Sequence, residues 1–132
     1  MTAKKSKSKT LFLIDDENVW LEAMEAVLKE EHYNIVTADS GAKALTKLSK
    51  LKPDLIISDL RMPDMNGYEL FDKIKNNPKL RNVPFVFMSG LDDYDARHFA
   101  KTIGVTDYLT KPFDSEEMKS LVLGLLQKYK KI

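Results

Sequence analysis

From Thr10 onward the chain alternates between two kinds of hydrophobic pattern. Short apolar runs occur at TLFLID, YNIVTA, PDLIISD, PFVFMS and DYLT. Their length and their β-branched and aromatic content predict five strands. The stretches between and after them repeat apolar residues every three or four positions. In SEEMKSLVLGLLQKYKK, residues Met118, Leu121, Val122, Leu125, Leu126 and Tyr129 form one stripe of a helix. Asp114 or Ser115 is placed to cap it, and Glu116 and Glu117 fall in its first turn, where the helix dipole favours acids. WLEAMEAVLKEE, GAKALTKLSKL, GYELFDKIKNN and DYDARHFAKTI predict four more helices. Leu70, Phe71 and Ile74 mark the inner face of the third helix, and Ala96, Ala100 and Ile103 that of the fourth.

Strands that alternate with helices need crossover connections, which give a parallel sheet covered on both faces. The expected fold class is therefore α/β, a doubly wound five-stranded parallel sheet. DLIIS and FVFM suit strands buried on both sides.

A chain of 132 residues is the size of one domain with a proper core. Its 43% hydrophobic and 31% charged content is that of a globular protein. No apolar run approaches the roughly 20 residues of a membrane span, and the lysines at the N-terminus lack an apolar segment behind them. The expectation is a cytoplasmic chain with no membrane partner. The absence of cysteine excludes disulfides, thiol catalysis and thiolate metal sites. The net charge of +1 conceals an asymmetry: MTAKKSKSK holds four lysines and no acid, and the remainder is mildly acidic. Residues 1–9 are read as a disordered basic tail, because they offer no aromatic for base stacking and no apolar face for lipid. No direct nucleic-acid contact is expected, and 10–132 form the domain. Only KYKKI follows the last helix, so the chain is expected either to act alone or to be one domain of a longer protein.

In a doubly wound sheet, ligands bind at the carboxyl ends of the strands. Asp15 and Asp16 end the first strand, Asp59 the third and Ser89 the fourth; Lys111 and Pro112 follow the fifth. Singly, each has a plainer reading as a helix cap, a turn residue or a surface lysine. Their coincidence at one edge has no such reading. Carboxylates in a group suit a hard cation such as magnesium, which takes oxygen ligands, and an aspartate can act as nucleophile in phosphoryl transfer. Without metal, repulsion among the three carboxylates is expected to raise at least one pKa. A hydroxyl and an ammonium would hold the remaining phosphoryl oxygens.

These residues resemble a known family. LIDDE, SDLRMPDMNG, MSG and DYLTKPF match, in order and spacing, the receiver domains of two-component response regulators, from about Thr10 to the last helix. The resemblance implies a flavodoxin-like (βα)5 fold with strand order 2-1-3-4-5. It implies Asp59 as phosphoacceptor and magnesium bound by Asp16, Asp59 and the backbone carbonyl of Arg61, with Asp15 acting largely through water. Ser89 would be the switch hydroxyl, Tyr108 its aromatic partner and Lys111 the phosphoryl contact. Glu17 belongs to the acidic cluster without being a ligand. Ser89 stands where threonine is commoner, and Arg61 and Leu91 lie where such domains tune the access of water.

The implied function is a signalling module phosphorylated by a sensor histidine kinase or phosphotransfer protein and read by a downstream effector. The implied partner face comprises the fourth helix, fifth strand and fifth helix, with Tyr94, Arg97, His98, Tyr108 and Phe113 on or near it. A cis bond before Pro112 is implied as well. His32 and His98 match no site position and are read as surface residues. Trp20 is read as packing close to the acidic site. The alternatives are a magnesium-dependent aspartyl phosphohydrolase of similar fold and a flavin binder. The first would place its nucleophile after the first strand with a second aspartate two residues on. The second would need a Gly, Ser and Thr-rich loop where DDENVW stands.

Overall fold

The computed structural model describes residues 8–91 and 93–129. Most of the expected basic tail lies outside these residues. Lys9, at the end of that segment, already joins the sheet, because its carbonyl accepts from Asn34 N at 2.8 Å.

Among the described residues, five strands and five helices alternate. They are β1 (Thr10–Ile14), α1 (Asn18–Lys29), β2 (Asn34–Ala38), α2 (Gly41–Leu48), β3 (Leu55–Asp59), α3 (Gly67–Lys75), β4 (Phe85–Gly90), α4 (Tyr94–Ile103), β5 (Asp107–Lys111) and α5 (Ser115–Lys128). The sheet is parallel throughout, in the order β2-β1-β3-β4-β5. Order and class agree with expectation.

Alternation along the strands divides the core in two. Phe12, Ile14, Ile56, Phe85 and Phe87 face α2, α3 and α4, where they meet Ala44, Leu48, Leu70, Phe71, Ile74, Ala96 and Ala100. Leu11, Leu13, Leu55, Ile57, Val86, Met88 and Leu109 face α1 and α5 and pack on Leu21, Met24, Leu28, Met118, Val122 and Leu125. β3 is buried along its whole length, as its apolar run requires. Phe71, Phe85 and Phe87 stack edge to face with centroids 5.1 to 5.8 Å apart, the arrangement that ring quadrupoles favour.

Local chemistry sets the helix starts. Ser40 Oγ accepts from Lys43 N at α2, Asn66 and Glu69 form a reciprocal capping box at α3, and Asp114 accepts from Glu117 N at α5. α4 ends in Gly104 at φ 84°, the left-handed conformation that a residue without Cβ adopts freely. Helix bounds shift by a turn or less: α1 covers Asn18–Lys29 where the pattern gave 20–31, and α3 stops at Lys75 where it gave 77. Helix α2 stops at Leu48, short of the stretch read from the pattern. Tyr129, the last residue of the α5 stripe, is 43% exposed and lies beyond the helix. No helix among the described residues is long and apolar enough to cross a membrane.

Candidate functional site

The carboxyl ends of β1 and β3, adjacent in the sheet, bring Asp15, Asp16 and Asp59 together. One carboxylate oxygen from each lies within 4.8 Å of the others. Asp15 and Asp59 are buried and Asp16 is exposed. The group is therefore open to solvent on one side and walled on the other. β5 delivers Lys111, whose ammonium lies 2.9 Å from Asp59 Oδ1, 3.0 Å from Asp15 Oδ2 and 3.9 Å from Glu17 Oε1. Asp15 Oδ1 accepts the backbone N–H of Glu17 at 2.9 Å. Asp15 Oδ2 is buried with the Lys111 ammonium 3.0 Å away, an ion pair that is close but poorly aligned as a hydrogen bond. The bond between Lys111 and Pro112 is cis, as expected.

The electrostatics follow from burial. Loss of solvent pushes the Asp59 carboxyl up to about 6; the Lys111 hydrogen bond opposes this, and the charges of Asp15 and Asp16 add to it. Burial likewise raises Asp15. Burial works against the Lys111 ammonium, but Asp59 and Asp15 outweigh it and hold its pKa above the usual value. The rise expected from repulsion among the carboxylates is present, with desolvation as the larger cause.

Gly67 explains how closely the α3 entry approaches Asp59. A Cβ built there would lie 2.7 Å from the Asp59 carbonyl oxygen and 2.9 Å from Leu60 Cα. Trp20, on α1, covers the other side. Its ring centroid is 5.0 Å from the Lys111 ammonium and 5.7 Å from that of Phe113. The expected proximity of Trp20 to the acids is observed.

Ser89, at the end of β4, is buried but does not stand free. Its hydroxyl donates to Asp93 Oδ2 at 2.5 Å, and Asp93 receives a two-pronged ion pair from Arg61, Nε at 2.8 Å and Nη2 at 2.7 Å. The guanidinium holds the Asp93 carboxyl below its ordinary value. Sequence reading missed Asp93, which in LDDYD looks like a helix cap. Tyr108 is half-buried on β5, with the Arg97 guanidinium 5.2 Å above its ring; Arg97 also donates to Thr110 Oγ1 at 2.8 Å. Tyr94, Arg97 and His98 are exposed on α4. Phe113 is not on that face, since it packs with Trp20 and the core beneath α1 and α5. His32 and His98 are exposed and are not members of the acid group.

A response regulator receiver domain model matches residues 11–123. The chain belongs to that family. The receiver is 35% identical over 119 residues to a probable transcriptional regulator of Porphyra purpurea, covering 90% of this chain and 57% of that protein. A similar regulator of Pyropia yezoensis is covered over 52% of its length, so the chain spans about half of these relatives. A putative response regulator from Chloroflexus aurantiacus superposes on the receiver with a TM-score of 0.87 at 31% identity, covering 92% of this chain and 99% of that one. The receiver domain of a sensor histidine kinase from Pseudomonas aeruginosa PAO1, 24% identical with a TM-score of 0.83, covers 92% of this chain and 99% of its own; it has a magnesium ion coordinated in its active-site cleft.

Proposed function

We propose that this receiver takes a phosphoryl group onto Asp59 from the phosphohistidine of a sensor histidine kinase or phosphotransfer protein in the cytoplasm. The observation that carries the reading is the position of Asp59: a buried carboxylate at a strand end, grouped with Asp15 and Asp16 and touched by the Lys111 ammonium. Asp15, Asp16, Asp59 and the backbone carbonyl of Arg61 would hold Mg2+. The donor set fits the ion, because all are hard oxygens and Asp15 Oδ2 is a buried anion without an aligned hydrogen bond. When bound, the ion supplies positive charge that lowers the pKa of Asp59 and screens the incoming phosphoryl oxygens.

The chain's own residues do the rest. An ionised Asp59 oxygen attacks phosphorus in line, the bond from phosphorus to the imidazole nitrogen breaks, and the electron pair leaves with the imidazole. Lys111 moves from balancing Asp59 to balancing the new phosphoryl oxygens, and Ser89 donates to another of them. Positioning and charge supply the catalysis. The reaction is confined to the protein's own phosphorylation and dephosphorylation, with Tyr108 passing the change to an effector. The phosphohydrolase alternative fits less well, because its nucleophile would be the first-strand carboxylate. Here Asp15 is wholly buried beneath Lys111.

Intact-protein mass after incubation with acetyl phosphate tests the reading. One phosphoryl group should appear with magnesium, none in chelator, and none on Asp59→Asn. Equal gain by Asp59→Asn would refute it.

A further inference from the structure

Asp93 precedes α4 where a capping residue belongs, yet its side chain makes no aligned cap hydrogen bond and feels the Ala96 N–H of the first turn only weakly. Both carboxylate oxygens are engaged elsewhere. Oδ1 takes Arg61 Nη2, and Oδ2 takes Arg61 Nε together with the Ser89 hydroxyl. Hydrogen bonds to a charged acceptor are about twice as strong as neutral ones, and the bidentate guanidinium fixes the carboxylate in place. Ser89 has only one proton to donate. While that proton points at Asp93, it is unavailable to a phosphoryl group on Asp59.

We infer that Asp93, anchored by Arg61, is a positioning residue that holds the Ser89 hydroxyl in the resting state and sets the threshold for the switch. Resting on the phosphoacceptor reading above, the assignment adds a competitor for the same proton. Phosphorylation turns Ser89 away from Asp93, which leaves that carboxylate to Arg61 alone. The pair spans Arg61, just after the phosphoacceptor strand, and the start of α4, so it also ties α4 to the site before phosphorylation.

The test uses the full chain and its variants Asp93→Ala and Asp93→Asn, followed by amide NMR with and without acetyl phosphate and magnesium. In unphosphorylated Asp93→Ala, the amides of Met88, Ser89 and Gly90 should move part of the way toward their positions in phosphorylated parent. That corresponds to a change on the order of tenfold in the resting-to-switched ratio, the worth of one charge-assisted hydrogen bond. Asp93→Asn keeps an acceptor oxygen but loses the charge, and should move them less. Combining Asp93→Ala with Ser89→Ala should abolish the effect, since the two act through one bond. The assignment is overturned if the Asp93→Ala amides stay at the resting positions, move in an unrelated direction, or shift equally without Ser89. A parent that gains no mass from acetyl phosphate and magnesium overturns the phosphoacceptor reading itself, and the latch with it. A parent that gains mass beside an inert Asp93→Ala overturns the latch alone.

Discussion

The ammonium of Lys111 sits over the indole of Trp20, 5.0 Å from the ring centroid, while it contacts Asp59 and Asp15 on its other side. This is the chain's single tryptophan. Divalent cation binding among the carboxylates should change the charge balance at Lys111 and, through it, the emission of Trp20. A magnesium titration should give a saturable fluorescence change. Lys111→Met should remove most of it, and an unchanged response in that variant would show that Trp20 reads something else.

Asp16 is the exposed member of the acid group and lies on its solvent side. Replacing it by asparagine should weaken metal binding by at least the roughly 10- to 100-fold that loss of a supporting group costs a metal site. The fold should be unaffected. Magnesium dependence of phosphoryl uptake, followed by mass, measures the shift directly. Uptake at the parent's magnesium concentration would remove Asp16 from the ligand set.

Asp59 makes stability depend on pH in the metal-free protein. Its carboxyl rises from an ordinary 3.8 to about 6 on folding, because burial disfavours the charge. Folding therefore favours the protonated form: that contribution is full below pH 3.8 and is lost as pH rises through about 6. At pH 8 the ionised group should cost ~3 kcal/mol, at 1.36 kcal/mol per pKa unit. Asp59→Asn should therefore be more stable than the parent at pH 8 in chelator, by about 1–3 kcal/mol once its weaker hydrogen bond to Lys111 is counted. The advantage should fade as pH falls through 6 toward 4. Urea denaturation across that range is the measurement, and a pH-independent difference would count against the cause given.

Two glycines should respond oppositely to alanine. Gly124 lies within α5, with nothing within 4 Å of an added Cβ, so Gly124→Ala should stabilise by about 0.5–1 kcal/mol. At Gly67 the added carbon would meet backbone at Asp59 and Leu60, which cannot move without displacing the Asp59 carboxylate. Gly67→Ala should lower stability by about 1–3 kcal/mol, as overpacking does. It should also slow phosphoryl uptake, so denaturation and mass together separate the two sites.

The order of strands and helices was legible because the apolar runs are short and the stretches between them repeat apolar residues at the helical period. The acids and Lys111 were legible because strand ends are fixed points of this topology. What escaped was set by side-chain direction. Arg61 and Asp93 are 32 positions apart, and only packed coordinates show that both guanidinium prongs reach that carboxylate. Phe113 was assigned to the wrong face because a residue just past a strand can turn to either side; here the ring of Trp20 decides. Desolvation as the main force on Asp59 likewise needed the depth of the strand end, which charge counting does not contain.

The site draws its side chains from the ends of β1, β3, β4 and β5, and β2 adds only the Ala38 carbonyl that accepts from Asp15 N. That edge strand is only partly buried, and the turn from α2 to β3 opens at the opposite end of the sheet from the acids. Exposed turns of this kind accept insertions well. A fluorescent or affinity module spliced near Lys50, exposed in that turn, would ride on the receiver without entering its chemistry, which makes this corner the natural port for building a phosphorylation biosensor.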